Sequence, residues 1–283
     1  MTTALLLETG HGTSSLARVL LVTAFSPVLC GISLGFTYGS IGGALTNVAF
    51  RKRFHNPSDQ TTEPLAAIMQ AGCVFGSILA GLCADRYGRR RSILAAMSLV
   101  MIAACVLALP ASVPGDSLAL LFLGRFLTGV GGGLACSVVP LHVSESAPAE
   151  HRGAIEASFQ LAIELGILGA YLINYWAAQT SSGWVVSLAS AAPTTAVFLV
   201  LGAFFLPESP RFLVLHDRQA EAQDVLTRTL RTPDHDVGAE LVSMQAEVRD
   251  ARASASTWSA LFAQGTLRSV LVAVTILMLQ VTT

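Results

Sequence analysis

One short segment of the sequence, from Gly81 to Arg91, combines an acidic residue with several bases and small residues. The acid is Asp85, and the bases are Arg86, Arg89, Arg90 and Arg91. Small residues let helices approach closely, and a carboxylate beside guanidinium groups forms charge-assisted hydrogen bonds that break when the helices shift. This spacing predicts an electrostatic latch at a helix junction. A plain positively charged loop would explain the arginines but not Asp85.

No other pattern in the sequence predicts covalent chemistry. It contains no nucleophile elbow, no phosphate-binding glycine loop and no metal-ligand spacing, so we expect no enzyme, catalytic residue, cofactor or metal site. The five cysteines are odd in number, lack zinc-type spacing and fall inside apolar stretches, which indicates packing residues. The net charge of −1 does not indicate a nucleic-acid partner.

The composition indicates that lipid is the solvent for most of the surface. The chain is 53% hydrophobic and 12% charged, with a mean hydropathy of +0.62, which is too apolar for a soluble protein of this length. A hydrocarbon layer of about 30 Å needs roughly 20 apolar helical residues to cross it. Six such runs occur, from Ala17 to Leu45, Thr62 to Ala84, Ser92 to Ser112, Leu118 to Val143, Gly153 to Ala177 and Trp184 to Leu206. We therefore expect an all-α membrane protein with a six-span bundle over residues 1–206.

The distribution of positive charge predicts the orientation of this bundle. Eight arginines adjoin the span ends that share a side with the amino terminus, against the three bases of residues 51–53 on the other side. Because positive residues favour the cytosolic side, the amino terminus is expected in the cytosol. The three bases at 51–53 favour the opposite orientation. We expect an integral multi-pass protein in contact with bilayer lipid, in the plasma membrane rather than an organelle.

The sequence after the sixth span changes character twice. Residues 207–267 are polar, and the stretches 218–230 and 237–251 carry apolar residues at helical spacing, which predicts short amphipathic helices in a cytosolic linker. Residues 268–283 begin a new apolar run that is too short to span a bilayer unaided. They are interpreted as a partial seventh span, so the chain looks truncated.

Several segments, in order, resemble the sugar porters of the major facilitator superfamily. The segment from Gly81 to Arg90 resembles the signature G-x-x-x-D-R-x-G-R-R. Span four opens with a Gly-Arg-Phe sequence, continues with spaced glycines, and ends in Pro140 to Pro148, which resembles P-x-Y-x-x-E-x-x-P with His142 in place of tyrosine. An Arg-Gly pair and the sequence Pro-Glu-Ser-Pro-Arg follow. The resemblance covers nearly all of residues 20–283 and implies two three-helix repeats that pair with a separate carboxy-terminal six-helix half.

The resemblance also implies a gating charge network on the cytosolic side, which holds the carrier closed on the inside. Its members in this sequence are Asp85, Arg86, Arg89, Arg90, Arg125, Glu145, Arg152, Glu208 and Arg211. For any single member the alternative is that the charge only solvates a helix end.

For the substrate, the resemblance implies two glutamines. Gln160 in span five matches a glutamine that hydrogen-bonds sugar hydroxyls, and Gln280 matches the first of a pair in span seven, whose second member is replaced by Val281. An amide suits a sugar because it offers both donors and an acceptor. An interhelical hydrogen bond is the alternative role for Gln160.

Thr37 in span one stands where proton-coupled sugar porters have an aspartate. A threonine cannot titrate, so proton coupling through this position is excluded and passive exchange becomes the expectation. Thr37 remains a candidate substrate contact.

Glu164 is an acid that the family pattern does not supply. A carboxylate at a helix centre in the bilayer costs about 2.5 kcal/mol or more, so it faces a cavity or stays protonated. It lies four residues after Gln160 and hence on the same helix face. Three roles stay open: an acceptor for sugar hydroxyls, a relocated proton site, and a structural group that is protonated or paired.

The residues and the resemblance together predict a carrier of hexose, pentose or polyol that works by alternating access, facilitative rather than proton-driven. Because only one complete bundle is encoded, residues 1–283 alone are expected to be inactive. The alternatives are a transporter-like sugar receptor, a truncated product that does not transport, and a carrier of another small organic solute.

Overall fold

A computed structural model describes residues 2–112, 118–147, 150–180, 182–229 and 237–253, together with residues 268, 271, 272 and 275. All regular elements in these ranges are helical. The helices are α1 (Thr2–Thr46), α2 (Val48–Arg53), α3 (Asp59–Tyr87), α4 (Arg89–Ala108), α5 (Leu118–Ser146), α6 (Arg152–Ala177), α7 (Gly183–Ala189), α8 (Ala191–Phe205), α9 (Pro210–Leu215), α10 (Gln219–Thr229) and α11 (Val237–Ala253). The chain divides into two compact units, Met1–Val237 and Gly238–Thr283.

Within the described residues, six helical segments are long and apolar enough to cross a membrane, so the prediction of six spans is confirmed. They are Ala24–Thr46, Gln60–Tyr87, Arg89–Ala111, Leu118–Ser146, Arg152–Ala177 and Gly183–Phe205. The third combines α4 with a 3₁₀ turn, and the sixth combines α7 with α8. Most of the predicted seventh span, including Gln280, lies outside the described residues.

The spans pair according to a two-fold pattern. The most extensive helix contacts are those of α1 with α6 and of α3 with α5. In two three-helix repeats, span one corresponds to span four and span two corresponds to span five. The pair of spans one and five therefore corresponds to the pair of spans four and two. The two principal contacts are therefore equivalent, as expected for two three-helix repeats.

Glycines allow both of these helix pairs to approach closely. A Cβ atom at Gly35 of α1 would collide with the carbonyl oxygen of Ile163 and lie 2.7 Å from the Cα atom of Gly166 in α6. A Cβ atom at Gly129 of α5 would lie 2.9 Å from the Cα atom of Gly72 in α3. Helices in lipid associate through such close packing because no hydrophobic effect drives their apolar faces together.

The largest apolar core lies between the six spans and includes Leu34, Met97 and Phe198, all fully buried. A second cluster lies where α2 and α7 meet. There the rings of Phe50 and Phe54 pack at a tilt and both meet the ring of Trp184 edge to face, with centroids 4.7 to 5.7 Å apart, so aromatic packing connects these two helices.

The helices α9 and α10 follow the sixth span and belong to the first compact unit, which is longer than the 1–206 bundle expected from the sequence. The buried side chains of Phe212 and Leu213 and the contacts of α9 with α5 account for this difference. Arg218, directly before α10, donates hydrogen bonds to both carboxylate oxygens of Glu221 at 2.7 and 2.6 Å, which lowers the pKa of that carboxyl group. Helices α10 and α11 lie at the positions of the two amphipathic stretches.

Candidate functional site

A buried ion pair joins α4 to α5 at the end of the bundle where α3 meets α4. The Nε atom of Arg89 lies 2.8 Å from Oε2 of Glu145, and Nη2 of Arg89 donates a hydrogen bond of 2.9 Å to Oε1. Each side chain is only 6% exposed. Such two-point pairing of a guanidinium with a carboxylate is among the strongest polar contacts that proteins form. It connects the segment from Gly81 to Arg91 directly to the end of span four.

The same carboxylate is tied to the turn before α9. Ser209 donates a hydrogen bond of 2.6 Å to Oε2 of Glu145, and its hydroxyl also accepts one from the backbone N–H of Phe212, so it caps α9. Oε1 of Glu208 accepts hydrogen bonds from the backbone N–H groups of Arg90 and Ser209, both at 3.0 Å. The turn, α4 and α5 therefore form one polar assembly.

Gly88, which separates α3 from α4, has φ of 92° and no room for a side chain. A Cβ atom there would collide with Oε2 of Glu208 and lie 3.0 Å from the ring of Phe212. Both the left-handed backbone and the close approach of Glu208 require glycine. The helix break that exposes the N–H of Arg90 to Glu208 depends on this residue.

Two residues of this assembly were not among the predicted site residues. Ser209 bridges Glu145 to α9, and His142 places Nε2 3.0 Å from the carbonyl oxygen of Pro207. A serine directly before a proline is a signal for a helix start and could have indicated the cap. His142, by contrast, is recognisable only from the fold, because its contact lies 65 residues away along the chain.

Three other predicted gating residues, Asp85, Arg86 and Arg152, are less tightly held. Asp85 is 78% exposed, and its Oδ1 atom lies 3.6 Å from Nη2 of Arg89. The guanidinium of Arg86 lies 5.7 Å from the ring of Tyr87, and Arg152 donates a hydrogen bond to the carbonyl oxygen of Ala147 at 3.4 Å. Arg211, at the start of α9, is partly buried.

Arg125 does not join this network, contrary to the assignment made from the sequence. It lies on α5 twenty residues before Glu145, which is about 30 Å along a continuous helix. Its side chain is 2% exposed, and Nη1 donates a hydrogen bond of 3.4 Å to the carbonyl oxygen of Thr37 in α1. The Gly-Arg-Phe motif lies near the start of span four, as the sequence indicated, but the assignment of Arg125 to the charge network at the other end of that span was wrong.

Thr37 is buried and directs its hydroxyl into its own helix, donating a hydrogen bond of 3.0 Å to the carbonyl oxygen of Ser33. The backbone carbonyl of Thr37, rather than its side chain, accepts from Arg125. The hydroxyl is thus already satisfied, which weakens the case for Thr37 as a substrate contact.

Gln160 and Glu164 lie one turn apart on α6, as the sequence predicted, and contact each other. Nε2 of Gln160 donates a hydrogen bond of 2.8 Å to Oε1 of Glu164. Both side chains are exposed on a face that also presents Leu161, Leu165 and Leu168. Oxygen and nitrogen atoms of the pair remain available to bind hydroxyl groups.

No group of three or more potential metal ligands occurs among the described residues, and the five cysteines, all described, carry no disulfide.

Comparison with known proteins shows which family the chain resembles. A family model described as sugar (and other) transporter matches residues 23–283. The glucose transporter GlcP of Staphylococcus epidermidis is 36% identical over 82% of this chain and 48% of its own length. H(+)/hexose cotransporter 2 of Parachlorella kessleri is 30% identical over 96% of this chain and 52% of its own.

Among solved structures, the proton:xylose symporter XylE bound to 6-bromo-6-deoxy-D-glucose, described as a major facilitator superfamily protein, superposes with a TM-score of 0.76. It is 25% identical, and the match covers 85% of this chain and 55% of that one. The chain spans about half the length of the curated relatives it matches.

Proposed function

The chain belongs to the sugar (and other) transporter family, a family of membrane carriers and not of enzymes, and from this we propose that it supplies the amino-terminal half of a sugar carrier. The carrier moves a hexose, pentose or polyol by alternating access, in which this bundle rocks against a second six-helix half. The charge distribution supports a cytosolic amino terminus, and the proposed location is the plasma membrane.

The polar pair on α6 is the observation that carries this proposal. Gln160 and Glu164 are exposed within a candidate span, although lipid penalises both groups. A water-filled cavity between two halves of a carrier would remove that penalty, and the pair would then offer sugar hydroxyls one amide and one carboxylate. The proposed substrate face is therefore this side of α6.

Gln160→Ala is expected to weaken sugar binding by about fivefold to tenfold, because one hydrogen bond to a substrate contributes about 1 to 1.5 kcal/mol. The measurement is the apparent affinity for labelled D-glucose and D-xylose in the carrier formed by this chain and a co-expressed carboxy-terminal half. Gln223→Ala, on the exposed face of α10, is the matched control and should leave affinity unchanged. Equal affinities for the wild type and Gln160→Ala would contradict the proposal that this side of α6 binds the sugar.

Counterflow in proteoliposomes tests the carrier proposal itself. We expect exchange of labelled sugar when both halves are present and none with residues 1–283 alone, because one bundle cannot present a site to both sides in turn. Exchange by the single chain would contradict the requirement for two halves. Sugar binding without exchange in the two-half protein would favour a transporter-like receptor, and exchange of other solutes in place of sugars would favour a different substrate class.

We propose that transport is facilitative, since Thr37 has no titratable group at the position where the resembled proton-coupled carriers have an aspartate. Proton symport is the second candidate, because relatives in both comparisons are described as proton-coupled, and Glu164 would then be the proton site.

Uptake by the two-half carrier is expected to be unaffected by an uncoupler and by external pH between about 5.5 and 8, because a facilitative carrier moves no proton together with its sugar. If an uncoupler abolishes accumulation instead, Glu164→Gln should convert the carrier to gradient-independent exchange. Accumulation that survives in Glu164→Gln would remove Glu164 as the proton site.

A further inference from the structure

A pocket with a volume of about 350 Å³ lies beside Arg125, between α1, α3 and α5. Tyr38 contributes from α1, Gln70 from α3 and Arg125 from α5, with Ile41 and Met69 as apolar neighbours. This volume is within the range of pockets that hold small organic molecules. The pocket is separate from the polar pair on α6, because it is lined by other helices.

The guanidinium of Arg125 has an unusual set of partners. It is 2% exposed and makes one long hydrogen bond, of 3.4 Å, to the carbonyl oxygen of Thr37, while its Nε atom has no partner. Within the described part of the chain, no carboxylate forms an ion pair with it. Arginine stays protonated in proteins, so a full positive charge is buried here without a counter-ion.

Burial of a charge is tolerated when a partner of opposite charge and matching hydrogen bonds compensate it. Arg89 shows the ordinary solution in this same bundle, because Glu145 engages it at two points. Arg125 lacks such a residue and instead lines a pocket. An anion that enters the pocket would supply the missing charge.

A carboxylate fits this place better than a single halide ion. A planar guanidinium binds a carboxylate through two parallel hydrogen bonds, and Nε together with one terminal nitrogen presents one such edge. The pocket also exceeds the size of one ion and is lined by Gln70 and Tyr38. The amide nitrogen of Gln70 donates to carbonyl oxygens of its own helix and the hydroxyl of Tyr38 lies 3.4 Å from Sγ of Cys136, which leaves the amide oxygen of Gln70 and a second hydrogen bond of the Tyr38 hydroxyl for sugar hydroxyls.

We propose that this pocket binds the carboxylate of an acidic sugar, such as a hexuronate or aldonate, with Arg125 as its counter-ion and Gln70 and Tyr38 as hydroxyl partners. The proposal rests on the proposed sugar-carrier function and adds sugar acids to the proposed substrates. Thr37, whose backbone carbonyl contacts the arginine, carries no carboxylate, so the substrate supplies the negative charge of the ion pair.

The test is equilibrium binding of labelled D-glucuronate and D-glucose to the carrier formed by this chain and a co-expressed carboxy-terminal half, purified in detergent. Glucuronate should bind at least about tenfold more tightly than glucose, because a hydrogen-bonded charge pair adds about 1.5 kcal/mol or more. In Arg125→Gln the two affinities should come within about twofold of each other, while that for glucose is unchanged. Sodium chloride at the same concentration should not displace glucuronate.

A second variant keeps the test decisive if Arg125→Gln fails to fold. Thr37→Asp retains the arginine and adds a carboxylate on the residue whose carbonyl it already contacts. This internal counter-ion should abolish the preference for glucuronate, so that the affinities for the two sugars come within about twofold of each other. Gel filtration reports whether each variant is folded.

The possible failures are distinguishable. If glucose binds and glucuronate binds no more tightly, or if the preference persists in both variants, this inference is wrong and the sugar-carrier function stands. Displacement of glucuronate by chloride at equal concentration would identify a halide site and overturn the assignment to a carboxylate. If neither sugar binds, the proposed function fails together with the inference.

Discussion

Glu145→Leu is expected to lower the free energy of unfolding of the chain by about 3 to 5 kcal/mol, the usual cost of removing one partner of a buried ion pair. The substitution leaves the guanidinium of Arg89 buried, with a side chain that is 6% exposed, and it also removes the acceptor of the Ser209 hydroxyl. Denaturant unfolding of the purified chain in detergent micelles, followed by circular dichroism, measures the effect.

Two controls distinguish a lost pair from a generally damaged helix end. Asp85→Asn removes a carboxylate that contacts the same arginine but is 78% exposed, so the loss should stay below about 1 kcal/mol. The double variant Arg89→Met with Glu145→Leu leaves neither of these two buried charges in place and should recover most of the stability. Equal losses for Glu145→Leu and Asp85→Asn would show that burial does not set the strength of this pair.

Gly35→Ala is expected to destabilise the contact between α1 and α6 by about 2 to 3 kcal/mol, the range in which overpacking of a closed interface falls. The added methyl group would meet backbone atoms of Ile163, Gly166 and Ile167, which cannot rotate away as a side chain can. Helix propensity alone predicts the opposite sign, because alanine is the better helix former.

Gly42 provides the matched control within the same helix. A Cβ atom there has no neighbour within 4 Å, so Gly42→Ala should leave the thermal midpoint unchanged or raise it slightly. Differential scanning fluorimetry in detergent compares the two variants. A lower midpoint for both would indicate that glycine is needed for backbone flexibility rather than for close packing.

The six spans were predictable from the sequence because the requirement for apolar length is local. The predominantly apolar run from Leu118 to Val143, for example, became α5, which extends only three residues further, to Ser146. The contact of Gln160 with Glu164 was likewise implied by their spacing, since residues four apart share a helix face.

Contacts between distant segments were not predictable in this way. Arg125 was assigned to the charge network by its motif, but a helix of this length fixes it about 30 Å from Glu145, and its neighbour follows from the packing of α1 on α5. The bridge from Ser209 to Glu145 spans 64 residues of sequence, so no local pattern encodes it. Residue type and spacing therefore identified the candidate groups, whereas their partners depended on tertiary structure.

The two-fold pairing of the spans has a consequence for biosynthesis. The principal partner of α1 is α6, and Gly35 meets Gly166 only after roughly 130 further residues have been made, on the order of 10 s of translation at typical rates. During that interval α3 and α5 can already join, because both have emerged. The pair of α3 and α5 would thus assemble before the pair of α1 and α6. The span that enters the bilayer first would be among the last to form its principal helix contact.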